Sequence, residues 1–167
     1  TPRSLLCWGE QAPLDCDLVA ILLDRGGELL QTADTQLRDY HGALQYLHDS
    51  QDAQDACGDQ MLLCPDALPP QVARVIFAVH LYDAAARGQD WSMLADPTFT
   101  LLDRSDDRSL YCSVRTSSGA PAQGQILGEL TRADNGRWCF CARSEAVPQA
   151  SSKQEILRWL RQRGEMR

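Results

Sequence analysis

The sequence predicts a mainly β fold: a two-sheet antiparallel β-sandwich with a short helix after its central strand and a second helix near the C-terminal end. Three observations predict it. Short apolar runs alternate with turn-forming residues over most of the 167 residues. Asp134-Asn135-Gly136 joins two β-type segments. Ser152-Lys153-Gln154-Glu155 has the pattern of a capping box and opens an amphipathic stretch. The composition does not change along the chain, so a single domain over residues 1–167 is expected, and at this length it can bury about 70% of its unfolded surface.

In chain order, Leu18 to Leu23 is a continuous apolar run that ends in the turn composition Asp24-Arg25-Gly26-Gly27, with Glu28 to Gln31 returning as its partner strand. Met61 to Cys64 is a short strand broken off by Pro65, Pro69 and Pro70. Val72 to Tyr82 is rich in β-branched and aromatic residues and is the central strand. Asp83 to Leu94 reads as a helix capped by Asp83 and interrupted by Gly88. Strands follow near Thr98 to Leu102, Ser109 to Val114 and Gln125 to Thr131. In the hairpin, Asn135-Gly136 supplies the two positive-φ positions of a tight turn. Beyond it Trp138 and Phe140 alternate with Cys139 and Cys141, so neither face is strongly polar and both thiols are expected to be buried. The last helix runs from about Ser152 to Arg163, with Ile156, Leu157, Trp159 and Leu160 on one apolar face.

Charge and composition exclude several classes. Asp plus Glu number 23 against 16 for Lys plus Arg, a formal charge of −7, which disfavours nucleic acid as a partner. No apolar run is long enough to span a bilayer, and Thr1 to Glu10 lacks signal-peptide patterning, so no integral membrane segment and a cytoplasmic location are expected. Seven cysteines, an odd number partly set in apolar runs, are expected to be unpaired thiols. The sequence holds no phosphate-binding glycine loop, dinucleotide fingerprint, G-x-S-x-G elbow or H-E-x-x-H motif. His41, His48 and His80 lack zinc-knuckle spacing, and His80, in the central strand, reads as a core histidine. Carboxylates are the remaining chemistry. Asp15 and Asp17 stand at the entrance of the first strand, Asp49, Asp52, Asp55 and Asp59 punctuate a polar loop, and Asp83 follows the central strand. Carboxylates gathered at one end of a sandwich suit Ca²⁺, which takes oxygen ligands in flexible geometry, although a solvated acidic rim fits the same spacing.

LDCDLVAILLD at Leu14 to Asp24, FAVHLYDAAARGQDW at Phe77 to Trp91 and GELTRADNGRWCFCA at Gly128 to Ala142 resemble, in that order, the DLDASAFLLD, FVVTIHDAEARGQNFG and GELYRHNGEWKFKAVGQG stretches of the TerD, or tellurite-resistance, family of bacterial stress proteins. The resemblance implies a β-sandwich that binds calcium in loops at one end, in a protein associated with resistance to tellurite and other stresses, without established catalysis. Carried over by position, it places the candidate metal ligands at Asp15, Asp17, Asp59 and Asp83. The departures count as well. Where the family has GDNxTG, this chain reads SQDAQD at Ser50 to Asp55, Gln60 replaces an acidic residue, and the family's N-terminal hairpin has no counterpart before Arg3. Calcium affinity follows ligand charge and site rigidity, so it is expected to be weakened to the millimolar range or lost.

The leading functional expectation is therefore a non-enzymatic module acting through contacts with other tellurite-resistance or stress proteins, with calcium as an optional ligand. The alternative is a thiol-based redox or tellurium-oxyanion-reactive protein, for which Cys57 in the polar loop has the context of an exposed thiol. A third reading, peripheral membrane binding through calcium, is opposed by the negative charge.

Overall fold

The computed structural model describes residues 14–48, 59–94, 98–103, 108–114 and 121–167. Its centre is the antiparallel pair of β1 (Cys16–Leu23) and β6 (Arg74–Leu81), in register from Cys16 opposite Leu81 to Leu23 opposite Arg74. Both strands are apolar on both faces, so each face must be covered. β2 (Leu29–Ala33) extends the sheet beyond β1, and β9 (Gly124–Arg132) and β10 (Trp138–Val147) extend it beyond β6, giving the order β10-β9-β6-β1-β2.

One face carries Val19, Ile21, Leu23, Ile76, Ala78 and Ile126. It is covered by α2 (Lys153–Gln162) through Ile156, Leu157 and Leu160, and by Met166 just after it. The other face carries Ala20, Leu22, Val75, Phe77 and Leu130 and meets a second β layer in two pieces. The first is β3 (Asp39–Tyr40), β4 (Leu44–His48) and β5 (Gln60–Leu63), which contributes Leu44, Met61 and Leu63. The second is β7 (Thr98–Asp103) with β8 (Arg108–Val114), which contributes Phe99. The predicted sandwich with two helices is the fold observed.

Local details differ in ways the backbone explains. The Asp134-Asn135-Gly136 hairpin forms, but only Gly136 is left-handed (φ +81°). The Gly136 amide donates to Ala133 O at 2.9 Å, and the Arg137 amide to Asn135 Oδ1 at 3.0 Å. This is a turn closed by a glycine bulge rather than the two-residue turn expected. Two consecutive left-handed residues occur instead between β3 and β4: His41 (φ 53°) and Gly42 (φ 67°) turn the chain, the Ala43 amide donates to Tyr40 O at 2.9 Å, and Tyr40 pairs with Leu44. Histidine tolerates the left-handed region better than most side chains. Because no Asn-Gly pair marks this turn, β3 and β4 were not among the predicted strands.

The helix predicted after the central strand shortens to α1 (Ala84–Arg87). Asp83 sits left-handed at its start without a side-chain cap, and Gly88 (φ 62°) ends it. At α2 the capping box is displaced by one residue: Glu155 accepts from the Ser151 amide at 2.5 Å, and Ser152 makes no side-chain cap. β10 also departs from expectation. Cys139 and Cys141, expected to be buried, are exposed, and Trp138 and Phe140 on the opposite face are half-buried. β10 is the edge strand, and the α2 layer covers its far end at Val147 rather than its start, so one face of the CFC segment stays open.

Gly124 sits where the central sheet packs tightly against Ala150 and Ile156 of the α2 layer. A Cβ there would lie 2.5 Å from Ala150 Cβ and 2.9 Å from Val79 O, and the latter is backbone that cannot swing aside. Gly124→Ala is expected to cost about 1–3 kcal/mol in urea unfolding. A loss below about 0.5 kcal/mol would show that the layers are less tightly joined than described.

Candidate functional site

The antiparallel register brings the start of β1, the end of β6 and the start of β9 to one end of the sandwich, with Cys16 opposite Leu81 and His80 opposite Gly124. Asp15 O accepts from the Tyr82 amide at 2.8 Å, so Asp15 and Asp83 flank the same strand junction. Asp83 is exposed, and its amide donates to Ser151 O at 3.0 Å. β2 pairs with β1 only from Ala20 to Leu23. Beyond that pairing, Asp59 Oδ2 accepts from the Leu18 amide at 3.0 Å and also from the Tyr46 hydroxyl. Asp59 thereby ties the start of β5 and the end of β4 to the start of β1. All four predicted carboxylates lie at this end.

They do not share one face. Asp17 projects to the α2 side, where its Oδ2 lies 3.9 Å from Nε2 of its cross-strand partner His80. Asp59 is engaged on the side of the second β layer. His80 is buried, and that burial outweighs the carboxylates of Asp34 and Glu155 and lowers its pKa to about 4. Nearby, Asp34 is paired with Lys153 of α2. Burial alone would raise its pKa, but the bond to Lys153 and the amides of Leu37 and Gln36 hold it below the usual carboxylate value. On the other side, burial and the carboxylates of Asp59, Asp15 and Asp17 push the Cys16 thiol up to about 12. Burial and the bond to Asp59 keep Tyr46 protonated far above its ordinary range.

The donor set consists of hard carboxylate oxygens, the chemistry Ca²⁺ prefers, but Ca²⁺ requires about 6–8 oxygens around one point. Among the described residues no three such side chains converge on one position. The described part of this end therefore does not form a calcium cage by itself. Asp49, Asp52, Asp55 and Cys57 lie outside the described residues. Of the other cysteines, Cys16 is half-buried and disfavours its thiolate, whereas Cys64, Cys139 and Cys141 are exposed. Sequence reasoning missed two parts of this end. Tyr46 lay in a strand without a turn signal, and the His80–Asp17 pair required the cross-strand register to be seen.

A family model described as the TerD domain matches residues 4–151. The chain belongs to the TerD family. Its similarity to curated TerD-family proteins is modest. It is 27% identical over 133 residues to a tellurium resistance protein TerD from Alcaligenes, covering 77% of this chain and 69% of that one. It is 24% identical over 164 residues to the stress response protein SCP2 of Bacillus subtilis, covering 94% and 80%. The fold matches the crystal structure of a TerD homologue from Streptomyces coelicolor with a TM-score of 0.74 at 18% identity, over 89% of this chain and 90% of that one. None of the described helices is long and apolar enough to cross a membrane.

The buried histidine makes this TerD-family fold sensitive to acid. The pKa of His80 is lower in the folded state, about 4, than its ordinary 6.5, so between these values the unfolded chain binds the additional proton. Its contribution to stability is full above about pH 6.5, declines as pH falls, and levels off below about 4. His80→Gln should remove this dependence. Between pH 7 and 4 wild type should lose about 3 kcal/mol more than the variant in urea unfolding, and parallel pH profiles would count against a buried neutral His80.

Proposed function

We propose that this chain is a non-enzymatic TerD-type module for tellurite and stress resistance, working in the cytoplasm through contacts made at its acidic end. The observation that carries the reading is the makeup of that end. Asp15, Asp17, Asp59 and Asp83 gather there with Tyr82, an exposed aromatic that carries the Arg87 guanidinium over its ring. Leu47, next to Asp59-bonded Tyr46, is exposed as well. A negatively charged end that also exposes apolar side chains suits a basic or mixed protein surface, because charge guides the encounter and apolar area supplies the contact. The names of the tellurium-resistance and stress-response relatives suggest partners from the same systems. A non-catalytic role is supported by the state of His80, whose imidazole is buried beside Asp17 and offers a substrate little surface.

Two experiments test this. In a bacterial strain deleted for its own TerD-family protein, the chain should restore growth on tellurite. Leu47→Ser with Tyr82→Ser should abolish the rescue while leaving the thermal melt unchanged. Undiminished rescue by that double variant would sink the contact reading.

We also propose that the acidic end takes calcium only weakly. Millimolar calcium should raise the melting temperature modestly by binding the native state, and micromolar calcium should do little. Asp15→Asn with Asp17→Asn should remove the response while leaving the metal-free protein as stable or slightly more so, because it relieves like-charge repulsion. If the double variant keeps a full calcium shift, these aspartates are not ligands.

A further inference from the structure

The opposite end of the molecule carries chemistry that the contact reading does not use. On β10, Cys139 and Cys141 are two residues apart and point to the same face, away from Trp138 and Phe140, which pack toward the second β layer. Both thiols are exposed. Their cross-strand neighbours on β9 are Thr131 and Glu129. The Glu129 carboxylate is held by Arg74 at 2.7 Å and Arg143 at 3.5 Å, so its charge is balanced beside Cys141. The Cys141 thiol makes a weak contact with the Ala142 carbonyl, at 3.8 Å.

Same-face neighbours on a strand are about 6.6–6.8 Å apart along the chain. A disulfide needs Cβ atoms about 3.5–4.5 Å apart, so these two thiols cannot close on each other without bending the strand. They can close on an atom placed between them, since two sulfur–metal bonds of about 2.3 Å span the difference once the side chains lean together. From this geometry we propose that Cys139 and Cys141 form a rigid, solvent-facing dithiol that grips a thiophilic centre in two-point fashion, taking trivalent arsenicals and soft d¹⁰ metal ions as its ligand class. With an organoarsenic oxide, two S–H and the As=O bonds break, two As–S bonds form, and the oxygen leaves as water with both thiol protons. No atom changes oxidation state. The strand holds both sulfurs on one face before binding, so little ordering has to be done when the second bond forms.

The reduced full-length chain is treated with one equivalent of phenylarsine oxide, challenged with excess 2-mercaptoethanol, desalted and weighed intact. Wild type should retain one phenylarsenic group, which 2,3-dimercaptopropanol then strips. Cys139→Ser and Cys141→Ser should each reduce retention more than tenfold, whereas Cys64→Ser, which removes an exposed thiol in the other layer, should keep it. Retention at the wild-type level in either β10 variant overturns the proposal, as does loss from wild type to the monothiol or loss in Cys64→Ser. Thermal melts verify the fold of each variant, and Cys139→Ala and Cys141→Ala replace any serine variant that melts early.

Discussion

The structure depends on the pairing of two strands that are apolar on both faces. β1 and β6 run side by side over their full length, and Val19 to Leu23 and Val75 to Ala78 leave almost nothing polar to present to water. Such a pair cannot stay in a one-sided sheet, because either face left bare would expose a contiguous apolar patch. The fold answers with unlike covers: a divided β layer on one side, and a single helix with the residues after it on the other. β2, β9 and β10 widen the platform on which both covers rest.

That arrangement dictates where polarity can go. Under α2 the polar groups at the margin of the apolar cluster include Asp34, paired with Lys153, and His80, which lies 3.9 Å from Asp17. At the other margin, Arg143 is surrounded by Glu129, Glu145 and Glu165; its bonds to Glu165 and Glu145 raise its pKa further, and Arg143 in turn lowers that of Glu165. The two charged margins bracket the helix-covered core and fix the position of α2 along the sheet. The acidic end is thus more than a rim. Its carboxylates are partly consumed in joining layers, as Asp59 does, which is why they divide between the two faces instead of meeting.

Fold class was legible because period and turn chemistry are local. The apolar runs of β1 and β6, the glycine-closed hairpin after β9 and the apolar stripe of α2 each follow from neighbouring residues in the sequence. The β3–β4 turn was hidden because it places His41 where glycine or asparagine is usual. The exposure of Cys139 and Cys141 was hidden for another reason. Alternation showed that they share a face but not that their strand lies at the sheet edge, and edge position is a property of topology. The carboxylates were similarly half legible. Their gathering at one end follows from strand order, whereas the choice of face for Asp17, and the use of Asp59 as an acceptor for Leu18 and Tyr46, depend on register between distant segments.

The cover supplied by α2 and the residues beyond it also bears on how the chain reaches this state. Val19 and Ile21 belong to the same buried cluster as Leu160 and Met166, and the Arg167 amide donates to Gly27 O at 2.9 Å. One face of β1 therefore waits for α2 and Met166, well over a hundred residues further along the chain, before it leaves water. During synthesis from the ribosome the β layers can assemble on one another, but the helix-side face stays bare until α2 and Met166 have emerged. Contacts of such wide sequence separation slow the final closure. The interval before it is when nascent molecules of this kind are most exposed to sticking together, and it is where a chaperone would have its work.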